Sequence, residues 1–323
     1  MNVPPAKFAP ATKPARLIWI DAARGLALWA MFAFHVTWDL GHFRWIDPAL
    51  LYSQGFHWIG RAIASSFLFL VGIGLVLSRR ERGKLLRSRA FWRRWAIIVA
   101  AAGAISAVSF QLFPETPIFF GILHLIAAAS LIAAPLVDAP VLLVLALAAL
   151  AIAAPQFLAG PFFNAKVFWW TGLGTFEPPS NDYQPLFPWL GVVLLGVVAA
   201  KLSVFTRKTG DSASSSAKIL SFFGRNSLFF YLVHQPVFYG AFALLALVLV
   251  SPWQERLFLG QCAQQCVREA DQPDLCQKTC ACVVSRAKAA GFWPRLAGNA
   301  LTPDQQMQAH DAIVACFGDA RLP

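Results

Sequence analysis

Residues 21–40 read DAARGLALWAMFAFHVTWDL. The flanking chain is apolar enough to lie in lipid, yet this stretch carries Asp21, Arg24, His35 and Asp39. A charge at the centre of a bilayer costs roughly 3 kcal/mol or more, so such groups face protein or water and mark functional paths. At about 100° per residue, with Asp21 at 0°, Arg24 falls at roughly 300°, His35 at roughly 320° and Asp39 back near 0°. The four share one arc of about 60°, and the rest of the wheel is Leu, Ala, Trp, Met and Phe. The stretch therefore reads as a membrane helix with one polar stripe. A structural salt bridge with a hydrogen-bonded His is the plainer alternative.

The whole chain agrees with a membrane protein. Of its 323 residues 58% are hydrophobic and only 13% charged, against about 25% charged in soluble domains. Seven apolar runs, at 17–40, 55–78, 95–112, 118–136, 140–156, 185–205 and 226–250, approach the length that crosses about 30 Å of hydrocarbon. The fold class expected is all-α: a polytopic bundle of about seven transmembrane helices over 17–250. The leader MNVPPAKFAPATKPAR, residues 1–16, is Pro/Ala-rich and reads as disordered. Asp21 and Arg24 interrupt the first run and no small-residue cleavage site follows, so it reads as an uncleaved helix.

Net charge is +11, and its placement sets the topology. Residues 1–16 hold three Lys or Arg, the loop RRERGKLLRSRAFWRR at 79–94 holds eight, and 201–225 hold five. The alternate loops offer Arg44 and Lys166. The positive-inside rule then puts the N-terminus in the cytoplasm. Basic charge beside membrane spans points to lipid headgroups and not to nucleic acid.

Seven spans from inside end outside, so residues 251–323 are expected in the periplasm. All six cysteines lie there: Cys262, Cys266, Cys276, Cys280, Cys282 and Cys316. An even set confined to one exported segment reads as disulfides. In QCAQQCVREADQPDLCQKTC, residues 261–280, two C-x3-C pairs flank a turn at Pro273. Cysteines four apart share a helix face. An antiparallel helical hairpin would pair Cys262 with Cys280 and Cys266 with Cys276, leaving Cys282 for Cys316. Zinc is the weaker alternative. The segment ALTPDQQMQAHDAIVACFG reads as a capped helix, with Thr302 as N-cap and Pro303 at the first helical position. A small disulfide-stapled helical domain is expected.

Other polar groups recur in the spans. His57 and Arg61, in GFHWIGRA, read as an interfacial His and a snorkelling Arg. His124 stands in the apolar run IFFGILHLIAAASLIAAP. In FFGRNSLFFYLVHQPVFYG, residues 222–240, Ser227, Tyr231 and His234 fall within about 60°, and Pro236 frees a helical carbonyl. Arg225 and Asn226 precede them. The aromatic loop before the sixth run, which carries Asp182 and Tyr183, is a candidate lid or acceptor site, or an interfacial belt. The sequence has no G-x-S-x-G, Walker, H-E-x-x-H or dinucleotide motif, and no metal site is expected.

These stretches carry a family resemblance. The pattern R-x4-D-x2-RG (Arg16, Asp21, Arg24, Gly25), H-x3-D-L from His35, FFGILHLIA at 119–127, DYQPLFPWLGV at 182–192 and GRNSLFFYLVHQP at 224–236 together resemble the DUF1624 family. That family is the bacterial relative of the catalytic domain of heparan-α-glucosaminide N-acetyltransferase. The resemblance covers roughly residues 15–245 and leaves the cysteine tail outside. It implies a transmembrane acyltransferase, with acetyl-CoA or another acyl-CoA arriving from the cytoplasm. The acyl group would pass to an amine or hydroxyl of an extracytoplasmic saccharide or envelope acceptor. On that reading Arg24, Arg225 and Asn226 meet the CoA phosphates, and Tyr231 and His234 line the CoA path. His35 is the general base with Asp39 orienting it, and His124 binds the thioester carbonyl or shares the base role. Asp182 and Tyr183 bind the acceptor, and Asp21 is structural. His42 and His57 stand as alternative bases, and covalent acyl-His transfer stands beside direct transfer. The competing readings are a proton-coupled transporter or channel, and a scaffold in which the stripes are helix glue. An oligomer is compatible with any of them.

Overall fold

The computed structural model describes residues 17–202, 214–248 and 252–320. The leader 1–16 lies outside them, as do Arg207 and Lys208 of the third basic segment. Every regular element among the described residues is helical. In chain order these are α1 (Ile18–His42), α2 (Gln54–Arg82), α3 (Arg89–Leu112), α4 (Ile122–Leu136), α5 (Val141–Leu158), α6 (Leu186–Lys201), α7 (Ser215–Arg225), α8 (Ser227–Val248), α9 (Pro252–Ala270), α10 (Pro273–Ala289), α11 (Trp293–Ala297) and α12 (Pro303–Asp319). Short 3₁₀ turns fill the loops.

Each apolar run holds a helix over its described residues. Gln54–Glu81, Arg89–Leu112, Val141–Leu158 and Ser227–Ala246 are long and apolar enough to cross a membrane. α4 and α6 are apolar but shorter, 15 and 16 residues, which reach about 22–24 Å. α1 has 25 residues and carries the polar stripe. The chain is an all-α, polytopic membrane protein. One element escaped the run-by-run reading: α7, an amphipathic helix whose N-cap Ser214 accepts from the Ala217 N–H.

Two compact units are present, and each draws on separated parts of the chain: Met1–Ala27 with Ala62–Ser227, and Leu28–Arg61 with Leu228–Pro323. In the first, small residues bring backbones together. A Cβ on Gly72 of α2 would lie 2.0 Å from the Val193 carbonyl of α6, and one on Gly196 would lie 2.1 Å from the Phe69 carbonyl. The two helices thus cross glycine to glycine, as membrane helices do where van der Waals packing replaces a hydrophobic drive. α1 and α7 cross likewise. A Cβ on Gly25 would lie 2.0 Å from the Leu220 carbonyl, and one on Gly224 would lie 1.7 Å from the Asp21 carbonyl. Around these crossings Leu68, Ile73, Leu125, Val144, Val193, Leu194 and Val197 form a buried core.

In the second unit the cysteine tail packs on the ends of α1 and α8. Gln254 of α9 is buried and donates to the Phe43 carbonyl at 3.0 Å. Arg44, past the end of α1, stands 5.6 Å over the Phe258 ring. The cysteines pair as the spacing suggests: Cys262–Cys280, Cys266–Cys276 and Cys282–Cys316. No cysteine is free, so none is left to ligate zinc. Thr302 accepts from the Gln305 N–H while the Gln305 side chain accepts from the Thr302 N–H, a reciprocal cap that starts α12. The apolar core beneath is small: Val284, Ala287, Phe292, Trp293, Ala297 and Ala309. The cross-links therefore carry much of its stability. Removing Cys282–Cys316, which closes a separation of 34 residues, is expected to cost the tail about 3–4 kcal/mol. Limited proteolysis of Cys282→Ala/Cys316→Ala checks this. The expected result is early cleavage within α12, with the spans intact.

Candidate functional site

α1 positions two polar clusters. At its start, in the first unit, Arg24 bonds Asp21 at 3.1 Å one turn away. Asp21 is 5% exposed. Arg24 lies against Gly74 of α2, where a Cβ would come 3.0 Å from its guanidinium. Gly25 and Gly224 make the α1–α7 crossing, so Arg24 and Arg225 flank one backbone contact. Asn226 closes α7: its side-chain amide donates to the Phe222 carbonyl at 2.9 Å and its backbone N–H to Phe222 and Phe223. Arg225 is exposed, and its Nε donates to the Ser221 carbonyl.

The second cluster belongs to the second unit. His35 and Asp39, one turn apart on α1, meet His234 and Gln235 of α8. The His35 and His234 rings are 4.8 Å apart, centroid to centroid, at 62°. Phe32 stacks on His234 at 5.4 Å and Phe238 meets it edge-on at 6.1 Å. His234 Nδ1 lies 2.6 Å from the Tyr231 carbonyl. A carbonyl only accepts, so Nδ1 carries the proton and Nε2 keeps its lone pair. That Nε2 is buried without a hydrogen-bond partner. Asp39 is fully buried and its Oδ1 accepts from Gln235 Nε2 at 3.0 Å. Asp39 Oδ2 and Gln235 Oε1 are buried and unpartnered too. His35 makes no hydrogen bond among the described residues, and the Asp39 bond goes to Gln235. All three orphan atoms of this cluster accept and none donates. Such groups are costly to leave unmet, so the cluster is short of N–H or O–H donors.

His124 belongs to the first unit, at the start of α4. Its Nδ1 accepts from the Gly121 N–H at 3.2 Å. Its Nε2 is 3.2 Å from Ser106 Oγ, which donates to the Ile118 carbonyl at 2.6 Å. Both ring nitrogens are thus engaged in holding the helix start. Asp182 joins them there, accepting from the Ile122 N–H at 3.0 Å. Burial pushes its carboxyl above the usual carboxylate range, against the pull of that N–H. Tyr183 donates to the Trp169 carbonyl at 2.6 Å, and burial, with Glu177 nearby, pushes its hydroxyl up to about 12. Asp182 is thus spent on the start of α4 and Tyr183 within the loop. His42 stacks on Trp38 at 4.9 Å, with the Tyr239 hydroxyl 3.4 Å from its Nε2. His57 is exposed, and Arg61 lies over the Trp58 ring at 5.3 Å. No group of three or more His, Cys, Asp or Glu side chains among the described residues is placed to hold a metal.

Gln235 and Ser106 were not among the residues singled out from sequence. Gln235 stands in the quoted run LVHQP, roughly 40° from Tyr231 on the wheel, and its polarity in an apolar helix was the available signal. Ser106 is an ordinary small residue of an apolar helix and carried none.

Buried ionisable groups, Asp21, Asp39 and His234, are gathered on helices α1 and α8 of an apolar protein. The sequence profile of the heparan-alpha-glucosaminide N-acetyltransferase catalytic domain matches residues 16–236. The chain belongs to that family, whose members are membrane acetyltransferases, and the match takes in every polar residue of both clusters. No curated protein and no solved structure is significantly similar to the chain.

Proposed function

We propose that the protein transfers an acetyl group from acetyl-CoA to an amine or hydroxyl of an extracytoplasmic saccharide or envelope acceptor, with His35 as general base. The observation that carries this reading is the donor-poor cluster on α1 and α8, inside the family-matched span. An acceptor molecule brings the N–H or O–H groups that Asp39 Oδ2 and Gln235 Oε1 lack. Bound acetyl-CoA supplies an acyl group activated as a thioester. His35 takes the proton of the attacking nitrogen or oxygen as that atom bonds the acyl carbon. The carbon–sulfur bond breaks, and His35 returns the proton to the thiolate. Arg24, Arg225 and Asn226 are the groups for the donor's phosphates, since guanidinium forks and an amide match phosphate oxygens. Asp182 and Tyr183 serve the acceptor by holding the aromatic loop in shape.

Charge and redox chemistry support one orientation. The basic loops favour an N-terminus on the cytoplasmic side of a bacterial inner membrane. Three disulfides suit a tail on the oxidising side.

The test is acetyl-CoA binding and turnover by the purified protein in detergent. Saturable binding is expected, weakened about 10-fold or more in Arg24→Ala, in line with a charge-assisted phosphate contact of about 1.5–3 kcal/mol. Folded wild-type protein that binds no acetyl-CoA would overturn the reading.

A further inference from the structure

The site holds a second imidazole whose tautomer is set by the fold, and whose free nitrogen neither donates nor accepts. We propose that His234 is the positioning residue of His35: its Nε2 lone pair takes the ring N–H of His35, orienting that ring and stabilising it when it is protonated. This rests on the acetyltransferase reading of the same site, and gives His234 a role other than lining a CoA path.

Four observations converge. His234 Nδ1 is tied to the Tyr231 carbonyl at 2.6 Å, so Nε2 must be the bare nitrogen. That nitrogen is buried and unpartnered, in a side chain only 6% exposed. Phe32 and Phe238 wall the ring. And His35 is at the right range. An N–H···N bond of about 2.9 Å, with each nitrogen about 1.1 Å from its ring centre, sets imidazole centroids about 5 Å apart; the observed separation is 4.8 Å. The His35 ring makes no hydrogen bond among the described residues, so its side-chain torsion is available to set this one. Asp39, one turn away, bonds Gln235 instead. The relay is then acceptor X–H, His35, His234, Tyr231 carbonyl. It follows the orienting logic of a base held by a third group, with a carbonyl-locked histidine in the place of a carboxylate. His35 takes the acceptor's proton on the ring nitrogen that faces it, while its other N–H stays bonded to His234 Nε2 and spreads the imidazolium charge; as the carbon–sulfur bond breaks, the first nitrogen gives that proton to the thiolate. No proton is gained or lost by the pair over the cycle.

The experiment uses full-length protein in detergent. In His234→Asn the amide nitrogen replaces Nδ1 and keeps the bond to the Tyr231 carbonyl, while Nε2 is gone. We expect kcat for acetyl-CoA turnover to fall about 100-fold, with KM for acetyl-CoA within about 2-fold and the unfolding temperature unchanged. Near-wild-type kcat in His234→Asn would reduce His234 to packing. A second readout is independent of activity. In protein labelled with ¹⁵N-histidine, His234 should show a protonated Nδ1 and a bare Nε2, and the His35 resonances should move in His234→Asn. A protonated His234 Nε2, or unmoved His35 resonances, sinks the pairing even in an active enzyme. An inactive wild-type protein with the expected resonances would instead sink the acetyltransferase reading and leave the pair standing.

Discussion

Gly224→Ala is expected to lower the unfolding temperature by about 10 °C, or to leave no monodisperse protein. The added methyl would sit 1.7 Å from the Asp21 carbonyl and 2.9 Å from the Gly25 nitrogen. Overpacking a core costs about 1–3 kcal/mol where side chains can shift. Here the obstacle is the backbone of α1, so the cost falls at the upper end or beyond. A chain of this size loses about 2–4 °C per kcal/mol. The damage is also local to function, because the crossing is flanked by Arg24 and Arg225. Gly103→Ala in α3 is the control. A Cβ there meets nothing within 4 Å, so helix propensity alone acts and stability should hold or rise slightly. Thermal unfolding followed by tryptophan fluorescence compares the two. Equal unfolding temperatures would show that α1 and α7 do not meet backbone to backbone.

His35→Ala is expected to lower kcat for acetyl-CoA turnover by about 10²–10⁴-fold, the range of general acid–base catalysis. Acetyl-CoA binding should stay within about 3-fold, because the cations assigned to the phosphates, Arg24 and Arg225, are in the first unit. Folding should hold as well. The His35 ring makes no hydrogen bond and touches Phe34 and His234 through ring contacts, so truncation opens a small gap and orphans nothing new. Single-turnover acetyl transfer beside equilibrium binding separates the two effects. Loss of binding together with turnover would place His35 on the donor and not on the proton. Retained turnover would remove the imidazole from the chemistry and return weight to a proton-conducting stripe.

Much of this architecture was legible because lipid simplifies the code. Long apolar runs must be helices, since no water is available to satisfy a spanning backbone, and each run holds a helix over its described residues. The tail was legible for a different reason. Two C-x3-C pairs either side of Pro273 admit one antiparallel pairing, and the sulfurs adopt it. α7 was less visible because Ser215–Arg225 alternates polar and apolar groups too closely for a span. The site was half legible. Period alone put His35 and Asp39 on one face and set Ser227, Tyr231 and His234 on another. Its partners were not, because a wheel gives the face of a residue and not what stands opposite.

The sequence by itself determined that this is an all-helical membrane protein, where its polar stripes lie, how its cysteines pair and the family to which it belongs. These follow from local period, composition and motif. Only the tertiary structure decided that Asp39 bonds Gln235, that the His234 and His35 rings come within 4.8 Å, and that His124 has both ring nitrogens occupied at the start of α4. It also decided why Gly25 and Gly224 are glycines. Each of these depends on which backbone or side chain approaches from another helix, a long-range choice made by packing that no local pattern encodes.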